Sequence, residues 1–473
     1  MGDNMPYFFP EAFAERMKML LGEAFSAFTS SYSEDSPVSV RLHPLKWKGG
    51  LPGDRVPWCS QGYYLGQRPL FTADPWLHGG AYYVQEPSSM FLEQLCRVVW
   101  PEKPALVLDL CGAPGGKTTH LMSLLQPGDL LVANEVIRSR ARILQENVTK
   151  WGIPGVVVTS GDPAAFASLG EIFDLIVVDA PCSGEGLFRK EPRAAEEWSP
   201  DHTRLCASRQ KRILSEAWKC LRPGGAMVYS TCTFNPDENE ENLEWLAQTA
   251  GASFLEVVPD PDWGIETSVH GKVTGYRFYP HRLRGEGFFA AVVRKEGHGT
   301  APLTSKGSPR NWSPATRREI TTLEPWILPG LAGEFLSDGE ITTLFPGEGR
   351  PLLALLEKRM PLLQVGIPVA SATGAHFIPH PALALSTALH MERFPVAPLS
   401  PEEAIRFLRK DPLLLPGREK GWILATFRNL PLGWLKNLGN RTNNYFPQEY
   451  RIRMTIPHPP PIWHDPLTRS MME

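Results

Sequence analysis

A chain of 473 residues, 42% of them apolar and 21% charged, exceeds one ordinary core and reads as two to four globular domains. Seven cysteines without a Cys-x-x-Cys pair exclude a disulfide framework and a thiolate metal cage, so a reducing compartment and no metal are expected. The net charge of −3 hides a skew. Residues 401–473 carry 11 Lys/Arg against 7 Asp/Glu, which suits a phosphate-bearing partner and equally an ordinary solvated surface.

In chain order, residues 11–30 show helical spacing, with Phe13, Met17, Leu20, Leu21, Ala24, Phe25 and Phe28 on one stripe. Residues 47–83 are rich in aromatics, Gly and Pro and predict short strands and turns. Glu86-Pro87-Ser88-Ser89 predicts a helix start capped by Ser88 or Ser89. From residue 105 apolar runs alternate with helical segments. Strands are expected at 105–110, 130–134, 156–159, 173–179 and 226–230, with helices at 118–125, 138–151 and 202–221. That alternation specifies a parallel sheet covered on both faces, an α/β Rossmann-like domain. Strands at 254–258 and 287–294 are expected to finish it as a hairpin-like edge.

Residues 297–312 turn to Gly, Pro, Ser, Thr and Lys and read as a linker. A helix is expected at 401–408. Beyond it Trp422, Phe427, Trp434, Tyr445, Phe446 and Tyr450 lie among Arg428, Lys436, Arg441, Arg451 and Arg453, before a loose tail at Pro459-Pro460-Pro461. No apolar run reaches membrane-spanning length and no leader opens the chain, so a cytoplasmic protein without a membrane partner is expected.

Two features carry chemistry. The first is the loop Asp109-Leu110-Cys111-Gly112-Ala113-Pro114-Gly115-Gly116-Lys117-Thr118, between a predicted strand and helix where open α/β sheets bind ligands. Glycines admit close approach of backbone amides, and the helix offers its positive end. The spacing is neither the dinucleotide fingerprint nor a Walker loop, which needs Gly where Cys111 stands. Glu135, ending the next strand, can accept from two ribose hydroxyls, and Asp162, after the third, from an adenine amine. Either acid is also an ordinary helix cap. Together they outline a nucleoside pocket with a methionine moiety over the loop, pointing to S-adenosylmethionine more than to a nicotinamide.

The second is a pair of thiols at later strand ends, in Asp179-Ala180-Pro181-Cys182-Ser183-Gly184 and Ser230-Thr231-Cys232-Thr233. Cytosine C5 attacks a sulfonium methyl poorly until a thiolate adds at C6 and makes C5 enamine-like. Asp179 can hydrogen-bond the base at N3 or the exocyclic amine. Which thiol attacks stays open on these grounds. Cys59, Cys96, Cys206 and Cys220 read as inert packing. Lys190 suits a phosphate, the cofactor carboxylate or plain surface, and the acids of Asp237-Glu238-Asn239-Glu240-Glu241 read as a helix N-terminus complementing the dipole.

Tyr83-Val84-Gln85-Glu86-Pro87-Ser88-Ser89-Met90, the Cys111 to Lys117 loop, the Asp179 turn with Arg189-Lys190, the Cys232 turn, and Gly285-Glu286-Gly287-Phe288-Phe289 resemble the RsmF-type RNA cytosine-C5 methyltransferases of the RsmB/RsmF (Nop/Sun-like) family. Gly433-Trp434-Leu435-Lys436 and Asn443-Asn444-Tyr445-Phe446-Pro447 resemble the family's RNA-binding C-terminal part. The resemblance implies a class I methyltransferase domain at 91–297, an N-terminal α+β RNA-binding extension at 1–90, a linker and middle domain at 298–395, and a small β-rich PUA-like domain at 396–473.

It also implies Cys232 as nucleophile, Cys182 for product release and Asp179 for base orientation. S-adenosylmethionine would contact Cys111, Gly112, Ala113, Pro114, Gly115, Gly116, Lys117, Glu135, Asp162 and Asp179, with Arg140 beside them. The implied substrate is ribosomal RNA or the small ribosomal subunit, bound by a monomer. A transfer-RNA target is the rival of the same class, and a non-catalytic RNA-binding assembly factor the rival of another. A base must leave any helical stack to meet two thiols in a pocket.

Overall fold

A computed structural model of the chain describes residues 9–101, 104–297, 299, 307–374, 376–414 and 419–456. Its frame is a ten-stranded mixed sheet. Strands Leu106–Asp109, Leu130–Asn134, Val156–Thr159, Phe173–Asp179 and Leu221–Thr231 run parallel, with Leu106–Asp109 between Leu130–Asn134 and Phe173–Asp179. The chain order reverses there, so the loop after Leu106–Asp109 opens at the switch point. Val107, Leu108, Val132, Val157, Val177 and Val178 are all buried, as unbroken apolar runs in a sheet covered on both faces must be.

Arg138–Trp151 forms the expected helix, closed by Gly152 in the left-handed conformation. The loop helix runs Gly116–Leu124, and Pro200–Cys220 starts on a Ser199 cap. The sheet's far side is larger than expected. Phe288–Lys295 is an interior strand, flanked by Leu221–Thr231 and Val273–Phe278, and it also pairs with Ala252–Leu255. Glu266–His270 forms the actual edge. Its residues are exposed or half-buried, and its neighbour Val273–Phe278, though largely buried, is interrupted by Thr274, Gly275 and Arg277, so neither shows the apolar run that marks a buried strand.

At the opposite edge, Leu362–Val365 from the middle segment adds antiparallel to Val156–Thr159. The rest of that segment builds a five-stranded sheet. The N-terminal stripe is broken by a 3-10 turn at Gly22–Ala24, and only Phe13, Met17 and Phe28 of its expected residues are buried. Neither Ser88 nor Ser89 caps by its side chain. Their amides instead donate to the Glu86 carboxylate at 2.9 and 2.8 Å.

The two ends of the described chain share one core. Val40, Leu42, Trp47, Trp76 and Tyr82 of the N-terminal part pack with Ala397, Ile405, Phe407, Phe427 and Leu430 of the C-terminal part. There a capping box at Ser400 and Glu403 starts the helix Pro401–Arg409, beside a four-stranded sheet. Phe427, Trp434 and Phe446 are core residues, which removes them from any stacking surface. Trp422 and Tyr445 are half-buried and touch edge-on at 4.6 Å, with Lys436 over Trp422. The Pro459-Pro460-Pro461 tail lies outside the described residues, as does most of 298–306.

Candidate active site

The switch-point loop borders a cavity of about 760 Å³ that also receives Glu135, Asp179, Cys182 and Cys232. Asp109 lies beneath the loop, buried, and accepts from Thr118 Oγ1 at 2.5 Å. Burial pushes its carboxyl up to about 7. A Cβ on Gly112 would come within 2.8 Å of Thr118 Oγ1 and 3.2 Å of Asp109 Oδ2, so only glycine lets the loop close over this bond. No side chain caps the helix Gly116–Leu124, which leaves its amide end free for an anion.

Glu135 Oε1 accepts from the Ile137 amide, and its carboxylate remains on the cavity wall. Arg140 is 3.5 Å from Glu135 and donates to the Ala113 carbonyl, so it braces the wall. Asp179 pairs with Lys117 at 2.8 Å and accepts from Ser230 Oγ at 2.8 Å. The glycine loop is thereby tied to both cysteine-bearing strands. Cys111, Ala113, Pro114 and Gly116 line the cavity as well, and burial pushes the Cys111 thiol up.

Asp162 departs from expectation. Its carboxylate caps the helix Pro163–Ala167 and pairs with Arg212 at 3.2 Å, while Pro163 and Arg212 themselves face the cavity. Gly115 too is off the lining; at φ 121° it turns the chain into the helix. Lys190 falls in a neighbouring groove with Arg68 and Arg284. Arg189 is buried and pairs with Glu286, a structural bond that closes the 285–289 segment.

Cys182 Sγ and Cys232 Sγ approach to 3.1 Å, and the Cys232 amide points at Cys182 Sγ from 3.3 Å. The Cys232 sulfur as hydrogen-bond partner, then burial and nearby charge, push Cys182 well above the usual thiol range. Backbone bonds hold the two turns in register: Gly186 N donates to the Cys232 carbonyl, and Gly287 N to the Gly186 carbonyl. A Cβ on Gly186 would lie 2.2 Å from the Gly287 oxygen, so this triple crossing requires glycine.

Three sections of the sequence match known families: 16S rRNA methyltransferase RsmB/F over residues 97–294, the N-terminal domain of 16S rRNA methyltransferase RsmF over 9–87, and the methyltransferase RsmF PUA domain over 394–452. The ribosomal RNA small subunit methyltransferase F of Serratia proteamaculans is 33% identical over 475 residues, covering 93% of this chain and 96% of that protein. That of Salmonella agona is 31% identical with the same coverage. The chain belongs to the RsmB/F methyltransferase family.

Among solved structures, a methyltransferase homolog protein from Pyrococcus horikoshii is 26% identical, with a TM-score of 0.53 over 62% of this chain and all of that one. NSun6 from Pyrococcus horikoshii, solved with SFG, shares the fold at 23% identity, with a TM-score of 0.52 over 61% of this chain and 99% of that one. The RsmB/F match spans every cavity residue named above from Cys111 to Cys232.

Sequence reasoning missed three site residues of this family member. The expected helix start forms at Glu240–Ala250 with Glu240 and Glu241 in its first turn, but Glu238 and Glu240 are buried and bonded to other elements, which the sequence reading did not foresee. Glu240 pairs with Arg277, and Glu238 reaches the Cys182 turn. Glu86 is the third, bridging Ser88, Ser89 and Glu286 while burial raises its carboxyl. An acid run looks the same in sequence whether water or a buried hydroxyl receives it.

Proposed function

We propose that the chain methylates C5 of cytosine in small-subunit ribosomal RNA, with S-adenosylmethionine as cofactor and a covalent adduct between Cys232 and C6. The observation that carries this reading is the 3.1 Å approach of two thiols in one cavity with the glycine loop and Asp179. Full-length relatives carry the rRNA substrate in their names, and the chain spans 96% of their length.

The uncapped helix end, the tight Gly112 turn and the Glu135 carboxylate fit an amino-acid nucleoside. Cys111, Gly112, Ala113, Pro114, Gly116, Lys117, Glu135 and Asp179 would hold S-adenosylmethionine, with Arg140 bracing Glu135. When bound, the cofactor supplies an electrophilic sulfonium methyl group. Cys232 as thiolate adds to C6, and the displaced ring electrons make C5 nucleophilic. Asp179, fixed by Ser230 and Lys117, orients the base at N3 or its amine. Once C5 carries the methyl, its proton passes to the Cys182 sulfur, deprotonated at this stage, while the C5–H electrons form the C5=C6 double bond and the C6–S bond breaks to return the Cys232 thiolate. Cys182 serves that release from beside Cys232. The base enters flipped from any stack, and residues 1–90 and 396–473 grip the RNA around it.

The test is methylation of free small-subunit rRNA, assembled small subunits and tRNA by the purified chain, mapped by bisulfite sequencing. Conversion-resistant cytosines in rRNA or the subunit support the reading, and modification of tRNA alone overturns the target. Cys182→Ala should accumulate a covalent RNA–protein adduct, while Cys232→Ala should form none. Retained methylation in both variants overturns the mechanism.

A further inference from the structure

Glu238 is a buried carboxylate at the end of the 3-10 turn Pro236–Glu238, six residues past Cys232. Its Oε2 accepts from the Ser183 amide at 2.9 Å and from Gln210 Nε2 at 3.0 Å. Its Oε1 accepts from Ser183 Oγ at 2.5 Å and Thr233 Oγ1 at 3.4 Å. Ser183 follows Cys182 and Thr233 follows Cys232, so one carboxylate ties both thiol-bearing turns. Gln210 Nε2 also donates to the Pro181 carbonyl, immediately before Cys182. The residue's own carbonyl accepts from Tyr229 Oη at 2.6 Å, which anchors it to the strand leading to Cys232.

Resting on the two-thiol chemistry above, we propose that Glu238 is its positioning residue: the carboxylate sets the spacing of the two sulfurs by tying both turns and places a negative charge beside the Cys182 turn, which leaves Cys232 as the attacking thiol. A neutral hydrogen-bonding residue would tie the turns equally well, so a buried acid here calls for an electrostatic role. The surroundings agree. Glu238 is among the charges that push the Cys182 thiol up. Burial raises Glu238 itself to about 6, against the bonds from Ser183 and Gln210, so it carries its charge at neutral pH. The other titratable groups facing it are Glu185, held by Arg16 and Trp198, the thiols of Cys182, Cys206 and Cys232, the Tyr229 phenol, and Arg209 beside Cys206. Glu185 acts on Glu238 in the same direction as burial, raising it.

The experiment follows iodoacetamide alkylation of Cys182 and Cys232 separately by mass spectrometry across pH 5 to 11, on RNA-free protein, alongside single-turnover methylation. In Glu238→Gln the alkylation midpoint of Cys182 should fall by about one pH unit, and turnover should drop at least tenfold, with S-adenosylmethionine affinity unchanged. An unshifted Cys182 midpoint in folded Glu238→Gln overturns the charge assignment. Glu238→Asp keeps the charge and shortens the reach. It should keep the wild-type midpoint and still lose turnover, and wild-type turnover in Glu238→Asp overturns the positioning role even if Glu238→Gln does not fold. Because alkylation needs no RNA, a shifted midpoint in a protein that methylates no cytosine would reject the proposed function and leave only the charge assignment of Glu238 standing.

Discussion

Two thiol clusters are built from similar side chains and differ in access: one includes His120 of the loop helix Gly116–Leu124, and the other opens on the cavity lined by that helix's first residues. Cys59, Glu93 and His120 place their ligating atoms within 4.8 Å of one another, and each is at most 3% exposed. Burial pushes Cys59 up to about 12 and His120 down to about 4, so the thiol keeps its proton and the imidazole stays neutral. Burial also works against the Glu93 charge, but donors from His120 and Ser60, with Arg97, outweigh it and hold Glu93 at about 2. Cys182 and Cys232 have a carboxylate within the next shell too, yet they are half-buried and open on a cavity. Access and the second sulfur separate a reactive pair from a sealed network; the residue types alone do not.

The largest effect expected from this contrast is on turnover. Cys232→Ser should lower methylation by more than about 10³-fold, the scale of losing a nucleophile, while Cys59→Ala should keep the rate within about threefold and lose roughly 1–3 kcal/mol of stability. Equal rate losses in the two variants would erase the distinction. Iodoacetamide sharpens it: Cys182 and Cys232 should label in the native protein, whereas Cys59, Cys96 and Cys220 should label only in denaturant. Mass spectrometry of peptides reads both states.

A second comparison divides the two expected cofactor acids. Glu135 faces the cavity; Asp162 caps a helix and pairs with Arg212. Glu135→Ala should weaken S-adenosylmethionine binding at least tenfold by calorimetry. Asp162→Ala should leave affinity within about twofold and cost roughly 1 kcal/mol through the lost cap. A tenfold affinity loss in Asp162→Ala would return that residue to the cofactor site.

Much of this was legible in sequence because local signals and packing agree. Apolar runs at 106–109, 130–134 and 173–179 needed burial on both faces, and the glycine loop followed the first of them. Family resemblance carried the assignment of the two cysteines, whereas their 3.1 Å spacing is a fact of tertiary structure alone. What stayed hidden depends on distant partners. Leu362–Val365 joins the sheet from some 200 residues beyond Val156–Thr159, and no periodicity announces such a partner. The bonds of Glu238 and Glu240 were not visible in a helix-start pattern because their donors come from other elements, Ser183 and Arg277, and nothing in the sequence singled out Glu93, which pairs with His120. Aromatics misled in the opposite direction, since Trp434 and Phe427 serve the core while Trp422 is only half-buried.

The smallest change expected in the wild-type chain is the net of two opposed pH slopes. His120 is held near 4 in the folded chain, against about 6.5 unfolded, so the unfolded state binds more protons between these values. Its contribution to stability is present above pH 6.5 and lost as pH falls toward 4. Asp109 is raised to about 7 from about 3.8, so the folded state binds the extra proton. Its contribution is present below pH 3.8 and lost as pH rises toward 7. Between pH 4 and 6.5 the two offset each other in the wild-type chain, and urea midpoints should change little on their account. His120→Gln should expose the falling slope of Asp109, and Asp109→Asn the rising slope of His120. The first slope belongs to the group beneath the glycine loop and the second to the sealed cluster, so parallel curves in the two variants would show that Asp109 and His120 titrate as a coupled pair.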